Sequence, residues 1–475
     1  MRTDLLHAPV DGLDEALAVV DAFDRAMSDG LMRPRPAQAQ ALAELAGAVA
    51  DSPLAALVAE AAEKAAAGTA DEHHLLALAA ARTALLGAAH DALHGVVAEA
   101  TGRPTAPWTV PAAGPAGSSN VLTAARAWLA DLARAGWLGM DHDLVSASAQ
   151  VVSAMLPDPR LRRLAVLLDG FAGELAASCP GASLERVPVR RWADLGSRAV
   201  LLTTPGACSV PDPQPVSGRL LPLGVDLHEH ATAAQAQVHA VFEPADGSVP
   251  RLVRASVSVP KPDSVLGAGV WQLLRPRMSL LAAAGEGRAM TVTDMPLTAE
   301  GDLLWSDDLA RTAAEADPFA TARVVLPTAM GAPVAPLERH PVRLAEPVFL
   351  EGYTVRQQDD GAQDGARDEA RDGMLTFDLA GHPLAVDTDR IPAAGPLTPQ
   401  AVAASTACIG LLRWDAGAFV LQPLAVETTV KRRTVGLYAG AWAGGTTDKS
   451  GAKAEAVATE TVTVLRERAG KLLRK

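Results

Sequence analysis

The chain has 475 residues, 49% of them hydrophobic and 20% charged, a balance that excludes a disordered polymer and leaves room for roughly two to four domains. A formal net charge of −13 argues against a general nucleic-acid binder, because phosphate contacts need a concentrated surplus of Lys and Arg. Cys179, Cys208 and Cys408 are far apart and odd in number, which excludes a disulfide scaffold and a zinc finger and fits a reducing compartment.

From Asp11 to Asp29 apolar residues recur at steps of three and four, ending at Gly30, and further helices are expected over 38–49, 53–67 and 71–100, with Asp71 as a cap. The stretch 101–120 carries four prolines and three glycines without a period and reads as a linker or crossing loop. Helical spacing returns over 121–156 and 160–177, with Trp128, Leu129, Leu132 and Trp137 as core candidates.

After Cys179-Pro180-Gly181 the period changes from 3.6 to 2. Apolar residues alternate with polar ones over 221–228, 235–243 and 253–259, and the break at 244–248 supplies hairpin chemistry between the last two. Shorter strand-like runs follow at 289–293, 323–326, 347–356, 373–379, 417–424 and 433–438. The segment 357–373 is rich in Asp, Gly, Ala and Arg and is expected to be a solvated loop. From Lys449 a basic amphipathic helix is expected, with Val457, Val464, Leu465, Leu472 and Leu473 on one side.

The expected fold class is therefore α+β. A helical segment over 1–100, the linker and a second helical segment over 121–180 precede a mainly antiparallel β-rich domain over 181–447 with helical insertions, and a basic helix follows over 448–475. No apolar run reaches the roughly 18–20 residues of a membrane span, and Asp11, Asp14 and Glu15 precede any long apolar run, so no transmembrane segment and a cytoplasmic location are expected.

The sharpest chemical pattern is Asp226-Leu227-His228-Glu229-His230. On a strand Asp226, His228 and His230 share one face, and the next strand can bring Gln235, Gln237 and His239 beside them. Such a set, Asp226, His228, His230 and His239, could hold a divalent transition metal. The plainer reading is a solvated polar face of an antiparallel sheet.

His90-Asp91-Ala92-Leu93-His94 places two histidines one helical turn apart but offers Asp where a metalloprotease uses Glu, and it reads as helix surface. No phosphate-binding loop, nucleophile elbow or cysteine nucleophile motif is present, and the GxG pieces at 267–269 and 285–287 read as loops.

The run from Leu184 through Trp192 to Leu202 resembles a segment of actinobacterial proteins associated with SWIM-type zinc fingers, which accompany MoxR-type AAA ATPases and von Willebrand factor A proteins. The zinc finger's CxC and CxH pairs are absent, so neither its metal nor its nucleic-acid function follows. What the resemblance implies is an accessory protein beside a MoxR-type ATPase. The expectation is thus a non-enzymatic binding or scaffold protein with no cofactor and a protein partner, with a metal-dependent enzyme as the alternative.

Overall fold

The computed structural model describes residues 1–108, 119–208, 212–357 and 375–472, so much of the linker and nearly all of the acidic segment 357–373 lie outside the described residues. Helices α1 (Leu13–Ser28), α2 (Pro36–Ala48), α3 (Ala55–Ala66) and α4 (Glu72–Thr101) pack around Phe23, Leu42, Leu45, Val58 and Leu78. Asp71 caps α4, its carboxylate accepting from the backbone N–H groups of His73 and His74. Inside this layer Arg82 of α4 donates Nε and Nη2 to Asp24 of α1 at 2.6 and 2.8 Å, with both side chains out of contact with water.

A second helical core follows from α5 (Ser119–Ala135), α6 (His142–Ser146), α7 (Ser148–Met155), α8 (Arg162–Ala177) and α9 (Val189–Leu202). Trp128, Trp137, Phe171 and Trp192 meet there edge to face, at ring separations of 5.8–6.4 Å.

The change to extended backbone expected at Pro180 occurs later. Trp192, Ala193, Ala199 and Val200 recur at helical spacing and turn inward on α9, while Arg190 and Arg191 face outward and pair with Asp21 and Glu174. The first strand begins at Gln214, so the β-rich part starts about thirty residues after 181.

The first barrel, barrel A, contains β1 (Gln214–Glu229), β2 (Ala233–Pro244), β3 (Arg251–Pro260), α10 (Ala268–Leu274), α11 (Leu280–Gly285), β4 (Arg288–Leu297), β5 (Asp302–Leu303) and β6 (Ala310–Glu315). β1 pairs antiparallel with both β2 and β4, β2 with β3, and β3 runs parallel to β5. β5 and β6 follow one another along the same edge of β4 (Leu297↔Leu303, Val292↔Ala310, Arg288↔Glu315) and act as one interrupted strand. The pairings close a ring.

After α12 (Pro318–Val324) the pattern recurs in a second barrel, barrel B. It is built from β7 (Glu346–Glu351), β8 (Thr354–Gln357), β9 (Leu375–Leu379), β10 (His382–Val386), α13 (Pro399–Ala403), β11 (Ser405–Asp415), β12 (Ala418–Val430) and β13 (Arg433–Tyr438). β7 and β8 are halves of one bent strand: β7 pairs with β11, as β1 does with β4, and β8 with β9, as β1 does with β2. β10 then runs parallel to β12, as β3 does to β5, and in each barrel a helix lies between the third and fourth strands. Each closes as a five-stranded Greek-key barrel, to which barrel B adds β13 beside β12; this is the architecture that the OB-fold also uses, and architecture assigns no ligand. The strand expected over 323–326 is instead the end of α12, started by the Asp317 cap and Pro318 at its first turn.

Trp271, Leu274, Leu280 and Leu281 of barrel A's own helices seal its interior. Barrel B's interior, around Phe377, Cys408, Leu412 and Leu421, is sealed by Leu93 and Val97 of α4 and by Leu6. Finally α14 (Lys449–Leu472) rests on α10, with Arg275 and Gln272 reaching Glu455. The side facing the protein carries Ala454, whereas Val457 and Val464 of the expected apolar stripe are exposed. No helix among the described residues is long and apolar enough to cross a membrane.

Candidate functional site

The register of β1 and β2 places Asp226 opposite Gln237, His228 opposite Gln235 and Gly224 opposite His239, so these side chains do share one sheet face. That face is not open to water throughout, because barrel B lies on part of it. Gly224 makes the approach possible, since a β-carbon there would stand 2.7 Å from Cβ of Leu424 on β12. Around it Leu221, Leu223, Val241, Phe319, Ile409 and Ala425 form an apolar interface between the barrels.

At the rim of this interface Asp226 is 2% exposed and His239 is 4% exposed. Arg413 of β11 donates Nη2 to Asp226 Oδ2 at 2.7 Å, and Gln422 of β12 donates Nε2 to Oδ1 at 2.8 Å. Arg413 Nε donates in turn to Gln422 Oε1 at 2.5 Å, and His228 Nε2 lies 2.9 Å from Asp226 Oδ2. Burial opposes ionisation of Asp226, but the His228 hydrogen bond and the Arg413 charge outweigh it and hold the carboxyl well below the usual carboxylate range.

His239 behaves oppositely. Burial pushes its imidazole down to about 4 against the attraction of Asp226, and Arg254, Arg413 and His228 reinforce the shift. Its Nε2 has no hydrogen-bond partner among the described residues.

The four residues expected to gather around a metal are thus only partly brought together. Asp226 and His228 are in contact and His239 is close, but His230 sits exposed beyond the end of β1, its backbone N–H bonded to Ala233. Both Asp226 oxygens are occupied, and the Arg413 guanidinium puts a positive charge where a cation would have to bind. Among the described residues no group of three or more His, Cys, Asp or Glu side chains is arranged to hold a metal ion. What the arrangement does is join the two barrels by charge-assisted hydrogen bonds.

Arg413 and Gln422 escaped the sequence reading, although each is a polar side chain inside an otherwise apolar strand, which demands a buried partner. The second histidine pair lies on α4 at its contact with barrel B. His90 is buried and stacks on His94 at 5.9 Å, while Asp91 accepts from Arg339 at 2.9 Å.

A further polar node fixes the segment before β7 onto the helical layers. Glu338 accepts from Arg163, Arg198 and Arg343, and burial pushes the nearby His340 down to about 4, with Asp194 opposing and Arg82, Arg343 and Arg198 reinforcing. The stretch that carries the family resemblance, 184–202, contributes Arg198 to this node and Trp192 to the aromatic core. Comparison with protein-family models, with curated proteins and with solved structures gives no match to this chain.

Proposed function

We propose that the chain is a non-enzymatic binding or scaffold protein, an accessory component of a MoxR-type AAA ATPase assembly. One observation carries the first half of that reading: in the best-built polar cluster both carboxylate oxygens of Asp226 on barrel A accept from Arg413 and Gln422 of barrel B, so the group is engaged in holding the two barrels together. The two barrels, one sharing a core with the helices and the other packed on the first, give the chain a framework on which a partner can dock. The choice of partner rests on the resemblance over 184–202.

The test mixes the purified chain with the MoxR-type ATPase and the von Willebrand factor A protein of its own organism at micromolar concentration, followed by size-exclusion chromatography. Co-elution with either supports the proposal, and separate elution at all nucleotide states of the ATPase removes the partner. Elemental analysis of the same preparation decides the other half. A stoichiometric transition metal that disappears in the His228→Ala/His230→Ala variant would replace the scaffold by a metal enzyme.

A further inference from the structure

Strands β12 and β13 are joined by the two-residue turn Lys431-Arg432, flanked by the pair Val430↔Arg433. Both turn residues have positive φ, 49° and 66°, the left-handed conformation that a type I′ turn requires and that residues with a β-carbon adopt at a cost. Barrel B contains two further turns of this size, Ala380-Gly381 and Ala416-Gly417, and each places Gly second, at φ 92° and 80°. Of these three turns only the β12–β13 turn puts long cationic side chains at both positions.

Lys431, Arg432 and Arg433 are exposed, and among the described residues none has an acidic partner. Val430 and Val435, on the same face as Arg433, are 48% and 37% exposed. β13 pairs with β12 on one side and, among the described residues, with no strand on the other. Cations on an edge strand can serve to discourage self-association. That role needs charge on the strand and gives no reason for placing it in a strained turn, where Asn-Gly would be favoured.

We infer that the β12–β13 hairpin is a docking edge for an extended acidic segment of a partner protein, which adds to β13 as a further strand and sets its carboxylates against Lys431, Arg432 and Arg433. The open edge supplies main-chain hydrogen bonds, Val435 borders the added strand and accepts an apolar side chain, and toward the turn the cations select acidic side chains. The tip carries no aromatic side chain for stacking bases or anchoring at a lipid interface, which favours a protein over a nucleic acid or a membrane. This inference deepens the scaffold reading and rests on it for the nature of the partner. Its test uses a synthetic probe and is independent of whether the ATPase binds.

The full-length chain is titrated by fluorescence anisotropy with a labelled, capped peptide of about eight residues, glutamates in one half to lie toward the turn and alternating valine and threonine in the other, and with the same peptide N-methylated at alternate residues so that one edge cannot hydrogen-bond. Saturable binding is expected, weakened about tenfold or more by N-methylation and by the Lys431→Asn/Arg432→Gly variant. That variant creates the favoured Asn-Gly turn, so its melting temperature holds or rises and lost binding cannot be put down to misfolding. No saturable binding, equal binding of the N-methylated peptide, or undiminished binding to the variant would each overturn the inference. So would duplex DNA or phosphatidylserine vesicles binding through the hairpin in the peptide's place.

Discussion

Barrels A and B share one connectivity and close their interiors in different ways. Barrel A carries α10 and α11 between its third and fourth strands, and Trp271, Leu274, Leu280 and Leu281 fill its open end. Barrel B has only the five-residue α13 in that place, and Leu93, Val97 and Leu6 come from the helical region to do the same work. A repeated topology therefore does not make two equivalent domains. The side chains that seal each interior decide what each barrel depends on, and barrel B shares a core with the helices while barrel A is joined to barrel B through the Asp226 cluster and its apolar surroundings.

The largest effect is expected at that joint. Asp226→Ala leaves the Arg413 guanidinium buried without its carboxylate and should cost about 3–5 kcal/mol in urea unfolding. The triple variant Asp226→Leu/Arg413→Met/Gln422→Met should recover most of the loss, because it removes both charges with their desolvation cost and leaves no buried amide without its partners. A single variant costing under about 1 kcal/mol would mean that the two barrels do not depend on this contact.

Next comes the seal. Leu93→Ala and Leu281→Ala each empty a fully buried position and should each cost about 2–5 kcal/mol. They should differ in where the loss is felt. Hydrogen exchange should accelerate in both the helical layers and barrel B for Leu93→Ala, and in barrel A for Leu281→Ala. Identical exchange patterns would erase the distinction between a self-sealed and a borrowed interior.

The same contrast explains what the sequence disclosed. β1, β2 and β3 were legible because their polar residues keep to one face, so Ala236, Val238 and Ala240 alternate with Gln235, Gln237 and His239 although barrel B covers part of that face. β11 was not legible. Cys408 and Leu412 face barrel B's interior while Ile409 faces barrel A, and a strand covered on both sides loses its alternation. The face shared by Asp226, His228 and His239 followed from period two alone, but its burial did not, since Arg413 and Gln422 come from 187 and 196 residues further along. Helix α9 was missed because the change of period was placed at Pro180, so Trp192, Ala193, Ala199 and Val200, which form its inner face, fell inside the segment expected to be β-rich.

The barrel joint should also respond to acid. Burial pushes His239 down to about 4, against about 6.5 in an unfolded chain, so the unfolded state takes up a proton that the folded state refuses. Stability therefore falls as pH drops from about 6.5 to about 4, by about 3 kcal/mol from this group, and His239 adds no further loss below that. Asp226 has the same sign over a lower range: its contribution is intact above about 4 and is lost only at more acidic pH. His340 adds a loss of the same sign as His239 at the helical side. Urea midpoints measured from pH 7 to 4.5 should flatten in His239→Leu, and an unchanged slope in that variant would move the effect elsewhere.

The smallest effect separates the three turns of barrel B. If the left-handed conformation is what Lys431-Arg432 must bear, Arg432→Gly should stabilise the chain by about 1 kcal/mol, while Gly417→Arg, the reverse exchange at the equivalent place in the β11–β12 turn, should cost a similar amount. The Cβ of residue 417 would meet nothing within 4 Å, so a loss there reports backbone conformation and not crowding. A gain at 432 matched by a loss at 417 would mean that the cationic turn is kept at the expense of stability, as a surface retained for binding requires. Two neutral exchanges would mean that the turn's charge costs the fold nothing, and its composition would then need no functional explanation.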